Sequence, residues 1–173
     1  MADEPMEGHD GPYATPLVTP TRTVLPEWVD YNGHMNVGYY ILAMDGLLDH
    51  VLEHELGLGE SRAARMRQGP FALQMHVHYL AELLEGQRFH LRFRLLDHDA
   101  KRMHFFAEMV EEAEGFVAAT VEQLAMNVDL EARRGAPYPD WGQARLARMK
   151  AAHADLPRPP QIAAPIGIRR KTG

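Results

Sequence analysis

Apolar residues at Val37, Tyr40, Ile41, Met44, Leu47, Leu48, Val51 and Leu52 recur at spacings of three and four. That spacing places them on one stripe of an amphipathic helix. Asn36 is suited to cap its start, and Gly57 and Gly59 suit its end. Beyond the helix the period falls to two. Met75, Val77 and Tyr79 alternate with Gln74, His76 and His78. Phe89, Leu91, Phe93 and Leu95 alternate with Arg88, His90, Arg92 and Arg94. Met103, Phe105, Ala107 and Met109 alternate with Arg102, His104, Phe106 and Glu108, and a fourth run covers Phe116 to Val128. Glu85-Gly86, Asp97 to Ala100 and Glu114-Gly115 supply turns between these strands. An earlier run, Thr19 to Leu25, closed by Pro26, reads as a short first strand. Four long strands in succession read as an antiparallel meander with one apolar face. The long helix is the one large element able to cover that face. The pattern predicts an α+β fold: a five-stranded antiparallel sheet wrapped around one long helix.

The remaining segments set the domain limits. Residues 1–17 are rich in Pro, Gly and acids and read as a flexible N-terminal arm. Residues 18–137 hold the single domain. Residues 138–173 read as a terminal helix near 140–154, with Leu146 and Met149 on one side, then a Pro-rich stretch and the basic tail Arg169-Arg170-Lys171. The length of 173 residues with 46% hydrophobic content fits one packed domain better than two. A formal net charge of -6 repels phosphate backbones and argues against a nucleic-acid partner. No apolar run approaches the ~20 residues of a membrane helix, and the acidic start is unlike a signal peptide, so a cytoplasmic location is expected. The absence of cysteine removes disulfides, thiolate zinc sites and a Cys nucleophile.

The loop Asp30-Tyr31-Asn32-Gly33-His34-Met35-Asn36 gathers a carboxylate, two amides and an imidazole in front of the helix. Thioester hydrolysis needs a base or nucleophile, donors for the developing oxyanion, and a place for water. A helix start, here near Asn36 and Val37, presents free amides and a partial positive charge for the oxyanion. The same residues also suit a plain turn in which Asp30 and Asn32 satisfy backbone groups and Asn36 caps the helix. The loop resembles the Asp-x-Asn-x-His-(Val/Met)-Asn motif of hotdog-fold thioesterases, and it continues to Tyr40 at the matching distance. Pro26-Glu27-Trp28-Val29 and the run Asp99 to Phe106 look like bacterial thioesterases of carnitine catabolism, which act on betainyl-CoA. The likeness spans about residues 20–137. It implies a hotdog fold, acyl-CoA as substrate, no cofactor beyond the CoA of the substrate, Asp30 as catalytic carboxylate, and Asn32 and His34 orienting the carbonyl or water.

The chain departs from related subgroups in three ways. One subgroup carries Asp where this chain has Asn32. Plant acyl-carrier-protein thioesterases, which share the motif, add an acid on the strand after the helix, where Gln74 to Tyr79 has none and His78 is the nearest substitute. Another places its acid on the helix, where Asp45 is the alternative here. Trp28, Tyr31, Tyr39 and Tyr40 flank the loop and, with His78, are candidates for the acyl pocket; aromatic faces also attract a quaternary ammonium. Lys101 and Arg102 are candidates for the CoA phosphates, although each taken singly reads first as a solvated charge that needs no function. His76, His78 and Glu82 keep a cupin-like metal spacing, which is the competing enzymatic reading. A non-catalytic acyl-CoA-binding hotdog module is a further alternative. A sheet edge and a polar face left uncovered by one helix imply a homo-oligomer, a dimer or a dimer of dimers.

Overall fold

The structure is a computed structural model and describes residues 3–167. The basic tail Arg169-Arg170-Lys171 lies outside the described residues. In chain order the elements are strands β1 (Leu17–Val18) and β2 (Arg22–Thr23), a 3-10 turn at Pro26–Trp28 and helix α1 (Val37–His50), which runs on as a π-helical segment over Val51–Leu56. Then come helix α2 (Glu60–Met66), strands β3 (Gln68–Tyr79), β4 (Arg88–His98), β5 (Arg102–Glu111), β6 (Val117–Asp129) and β7 (Arg134–Gly135), and helix α3 (Asp140–His153).

One antiparallel sheet holds all the strands in the order β1-β4-β5-β6-β3. β2 shares the β1 position by also pairing with β4, and β7 adds to β6. The first strand is split because Pro20 has no amide to donate. Thr19 still contributes, donating its amide to Leu91 O and accepting Leu91 N on Oγ1. The expected four-strand meander is corrected here: only β4, β5 and β6 form it, and β3 pairs with β6 instead of β4. Residues 80–87 are too long a link for a tight hairpin and carry the chain across the end of the sheet. Leu80 N donates to Ala118 O, and Leu83 O accepts from Met35 N, so this crossing touches the loop before α1.

The core lies between α1 and the inner face of the sheet. Met44, Leu47 and Leu48 of α1 meet residues such as Leu91, Phe93, Phe105 and Val121, all 3% exposed or less. Each such side chain contributes about 1.5–3 kcal/mol by leaving water. Val37 and Ile41, on the predicted stripe, are 56% and 39% exposed, while Ala43 is buried, so the covered stripe is rotated slightly from the sequence reading. Asn36 caps α1 through Oδ1, which accepts the amide of Gly38 at 2.9 Å. Gly57 ends the π-helical segment in a left-handed conformation at φ 68°, and a Cβ there would meet Glu7 O at 2.3 Å.

The two ends of the described chain lie against this body. In residues 3–16, Tyr13 is buried, and Asp3 and Asp10 pair with the buried guanidinium groups of Arg62 and Arg145. Helix α3 buries Leu146 and Met149 in the same core. The segment after it crosses the outer, polar face of the sheet: Arg94 Nη1 donates to Pro157 O, and Ala163 N donates to Glu122 Oε2.

Candidate active site

Residues 28–36 fold into a tight hairpin that sets the candidate chemistry at the start of α1. Asn36 N donates to Trp28 O at 2.8 Å, Asp30 N to His34 O at 3.1 Å and Gly33 N to Asp30 O at 2.9 Å. Gly33 turns the chain at φ 81°, a conformation that disfavours any side chain. Within this frame both carboxylate oxygens of Asp30 accept a hydrogen bond. Oδ1 takes the Asn32 amide at 2.8 Å and Oδ2 takes Asn36 Nδ2 at 2.9 Å. The Asn32 amide first, and then Asn36, hold the Asp30 carboxyl below the usual carboxylate range. The group is therefore ionised at neutral pH while still in reach of solvent.

The partners around Asp30 follow from the same hairpin. His34 Nδ1 lies 3.1 Å from Met35 O. A carbonyl oxygen only accepts, so the assigned proton sits on Nδ1, and Nε2 is left as an acceptor for water. At the helix start the Gly38 amide is capped, and the Val37 amide has no acceptor among the described residues. A carboxylate, an imidazole acceptor and a free helical amide thus lie within eight residues, 30–37. The plain-turn reading explains the Asn32 and Asn36 contacts but leaves the Val37 amide and His34 Nε2 unused.

Beside the loop opens a cavity of about 310 Å³, bordered by His34, Val37 and Tyr40 and closed by Tyr79, Leu80 and Glu82. Its place is set by the crossing link 80–87. Tyr40 Oη accepts Leu83 N at 2.9 Å and donates to Ala81 O, which fixes the link against α1. Sequence reasoning reached His34, Val37 and Tyr40 here but missed Tyr79 and left Glu82 only in a metal set. The inward alternation Met75, Val77, Tyr79 was the signal for Tyr79, provided β3 was known to end beside α1.

The other candidates are spread more widely. Trp28 is buried and stacks on Tyr39 with ring centres 5.8 Å apart, so both brace the hairpin. Tyr31 is 95% exposed at the hairpin tip. His78 points to the outer face with His76, their rings 4.6 Å apart, beneath the C-terminal segment. Glu82 lies instead at the inner cavity, so the cupin-like trio does not converge. No group of three His, Asp or Glu side chains among the described residues is placed to hold a metal ion. Asp45 is exposed on α1, eight residues past Val37 and hence about 12 Å along the axis. Lys101 and Arg102 sit at the β4–β5 turn, at the opposite end of the sheet, where Arg102 pairs with Asp99.

Comparison with known proteins matches this arrangement. The family model of the thioesterase-like superfamily matches residues 24–146. A betainyl-CoA thioesterase of Pseudomonas aeruginosa is 35% identical over 88% of this chain and 95% of its own length. An L-carnitine dehydrogenase/betainyl-CoA thioesterase of Rhizobium meliloti is 31% identical over 90% of this chain, which spans 31% of that longer protein. A Staphylococcus aureus protein solved in complex with CoA superposes with a TM-score of 0.82 at 26% identity, covering 92% of this chain and 100% of that one. The helix wrapped by the antiparallel sheet accords with these matches, and the chain is a member of the thioesterase-like superfamily.

Proposed function

We propose that the protein hydrolyses a short acyl-CoA, with betainyl-CoA the leading substrate, to the free acid and CoA. The observation that carries this reading is the ionised Asp30 carboxylate held at the start of α1 beside a small aromatic-walled cavity. The acyl group enters the cavity and brings its carbonyl to the helix start. There the Val37 amide and the helix dipole stabilise the oxyanion as the carbonyl is attacked. Asp30 supplies the attack, either by taking a proton from water or by adding to the carbonyl itself. In both routes the C–S bond breaks, CoA leaves as the thiolate and is protonated, and one water is consumed. His34 Nε2 accepts a hydrogen bond from the water, and Asn32 and Asn36 hold the carboxylate in line. The names of the Pseudomonas and Rhizobium relatives support the betainyl group. A cytoplasmic site of action goes with this reading, because CoA thioesters are made and used inside cells. No helix among the described residues is long and apolar enough to cross a membrane.

The second copy expected from the sequence is assigned to the free edge of β3. This strand has twelve residues and no neighbour on its outer side among the described residues. Phe71 and Leu73 on this strand are exposed apolar groups. Pairing two β3 edges antiparallel extends the sheet across a homodimer.

A thiol-release assay over a panel of acyl-CoAs tests the activity. The chain has no cysteine, so released CoA is the only thiol the reagent meets. Turnover of betainyl-CoA is expected; binding of acyl-CoAs with no thiol release across the panel would make the protein an acyl-binding module.

A further inference from the structure

The cavity beside the catalytic hairpin has an unusual balance of groups. Its walls are apolar or aromatic, its one carboxylate is Glu82, and neither Lys nor Arg lines it. Glu82 forms no ion pair or side-chain hydrogen bond among the described residues, so its charge is not spent inside the protein. Tyr40 and Tyr79 meet edge to face, with ring centres 5.4 Å apart at 85°. Tyr40 is buried at 4% exposure, while Tyr79 is 46% exposed, so one ring backs the cavity and the other is open to an occupant. The Tyr79 hydroxyl is turned toward the backbone of Val37, at 3.4 Å from its carbonyl, which links this ring to the helix start. The negative charge of Glu82 is also felt by the Tyr40 hydroxyl: burial first, and then Glu82, raise its pKa.

A carboxylate at the mouth of an aromatic corner suits one kind of cation. Primary ammonium and guanidinium groups need several converging hydrogen-bond acceptors, and Glu82 is the one carboxylate lining this cavity. A trimethylammonium has no N–H to satisfy and is held by ring faces and a diffuse opposite charge. We propose that Tyr79 and Glu82, backed by Tyr40, form a subsite for the quaternary ammonium end of the acyl group and so select a cationic acyl-CoA over an uncharged one of equal shape. This rests on the thioesterase reading above and assigns its substrate preference to two residues outside the motif. The distance from the helix start to the far wall then sets the acyl length, with the carbonyl at Val37 and the cation at Glu82.

The test compares betainyl-CoA with its uncharged isostere, 3,3-dimethylbutanoyl-CoA, in the wild type, Glu82→Gln and Tyr79→Leu. The quantity read is the ratio of the two kcat/KM values, which a loss of folding or of general activity does not move. The wild type should favour betainyl-CoA, and each substitution should lower that ratio by about 3- to 30-fold. Hydrolysis of both substrates with the same ratio in the wild type and Glu82→Gln overturns the subsite and leaves the thioesterase reading standing. Hydrolysis of neither removes betainyl-CoA as the substrate and leaves the thioesterase reading to the wider panel, and the subsite is then judged by binding. Saturation transfer from the protein to the methyl groups of glycine betaine should be seen in the wild type and weaken in Glu82→Gln; equal transfer overturns the subsite.

Discussion

At the scale of the residue, Asp30 is tied by two donors that the sequence places two and six positions downstream. Asp30→Asn keeps the side-chain shape but removes the charge and one of the two acceptors, and kcat should fall by at least ~100-fold with the protein still folded. Near-wild-type turnover in this variant would move the search to Asp45. The low proton affinity of Asp30 has a pH signature. The ionised form persists as pH falls, so kcat/KM should stay level through ordinary carboxylate pH, about 4, and drop only below it. Asn36→Ala removes one of the two donors, so the acid limb should move upward in the pH profile. The same change removes the cap of α1 and should cost about 1 kcal/mol in denaturant titrations. In stability terms, the depressed group stabilises the fold above its unfolded pKa and loses that contribution as pH falls through its folded one. The hairpin and the helix cap around Asp30 were legible in the sequence because both are local structures. The end or face of the sheet on which Lys101, Arg102 and His78 lie was not, because that depends on strand order.

At the scale of the element, the informative case is β3. Its alternation made it a strand in the sequence, but neighbouring strands in a chain usually pair, and here β3 crosses to β6. Nothing in the local pattern of residues 80–87 distinguishes a loose hairpin from a crossing. The long-range contact of Tyr40 with Leu83 and Ala81 separates them in the structure. Helix α2 and the π-helical stretch were equally hidden: the first is short, and the second continues the apolar spacing of α1 without a break. The Tyr40 hydroxyl is thus a fastener between α1 and the crossing link. Tyr40→Phe leaves the buried Leu83 amide without its acceptor, an expected loss of about 1–3 kcal/mol. A lowered Tm with faster amide exchange at Leu83 would show it; an unchanged Tm would mean that the link is held by Met35 and Leu80 alone.

At the scale of the whole molecule, the long edge of β3 has no strand beside it among the described residues, and the polar face of the sheet is crossed by the segment after α3. The expectation of an oligomer through face or edge therefore narrows to the edge. Leu73→Glu should turn a dimer into a monomer in light scattering at micromolar concentration, with a lost interface above ~1,000 Å² in total. A wild type that is already monomeric would refute the pairing. The N-terminal residues add a constraint of a different kind. Asp10 reaches Arg145 across 135 positions, and Asp3 reaches Arg62 across 59. Loop closure costs more as the loop lengthens, though only logarithmically. Residues 3–10 leave the ribosome well before their partners on α2 and α3, which follow 59 and 135 positions later. Docking of this segment, made by ion pairs that salt weakens, is therefore expected as a closing step of folding. In refolding experiments it should lag the sheet, and the lag should lengthen with ionic strength, so that the protein passes through a stage with its core formed and its first residues still unfastened.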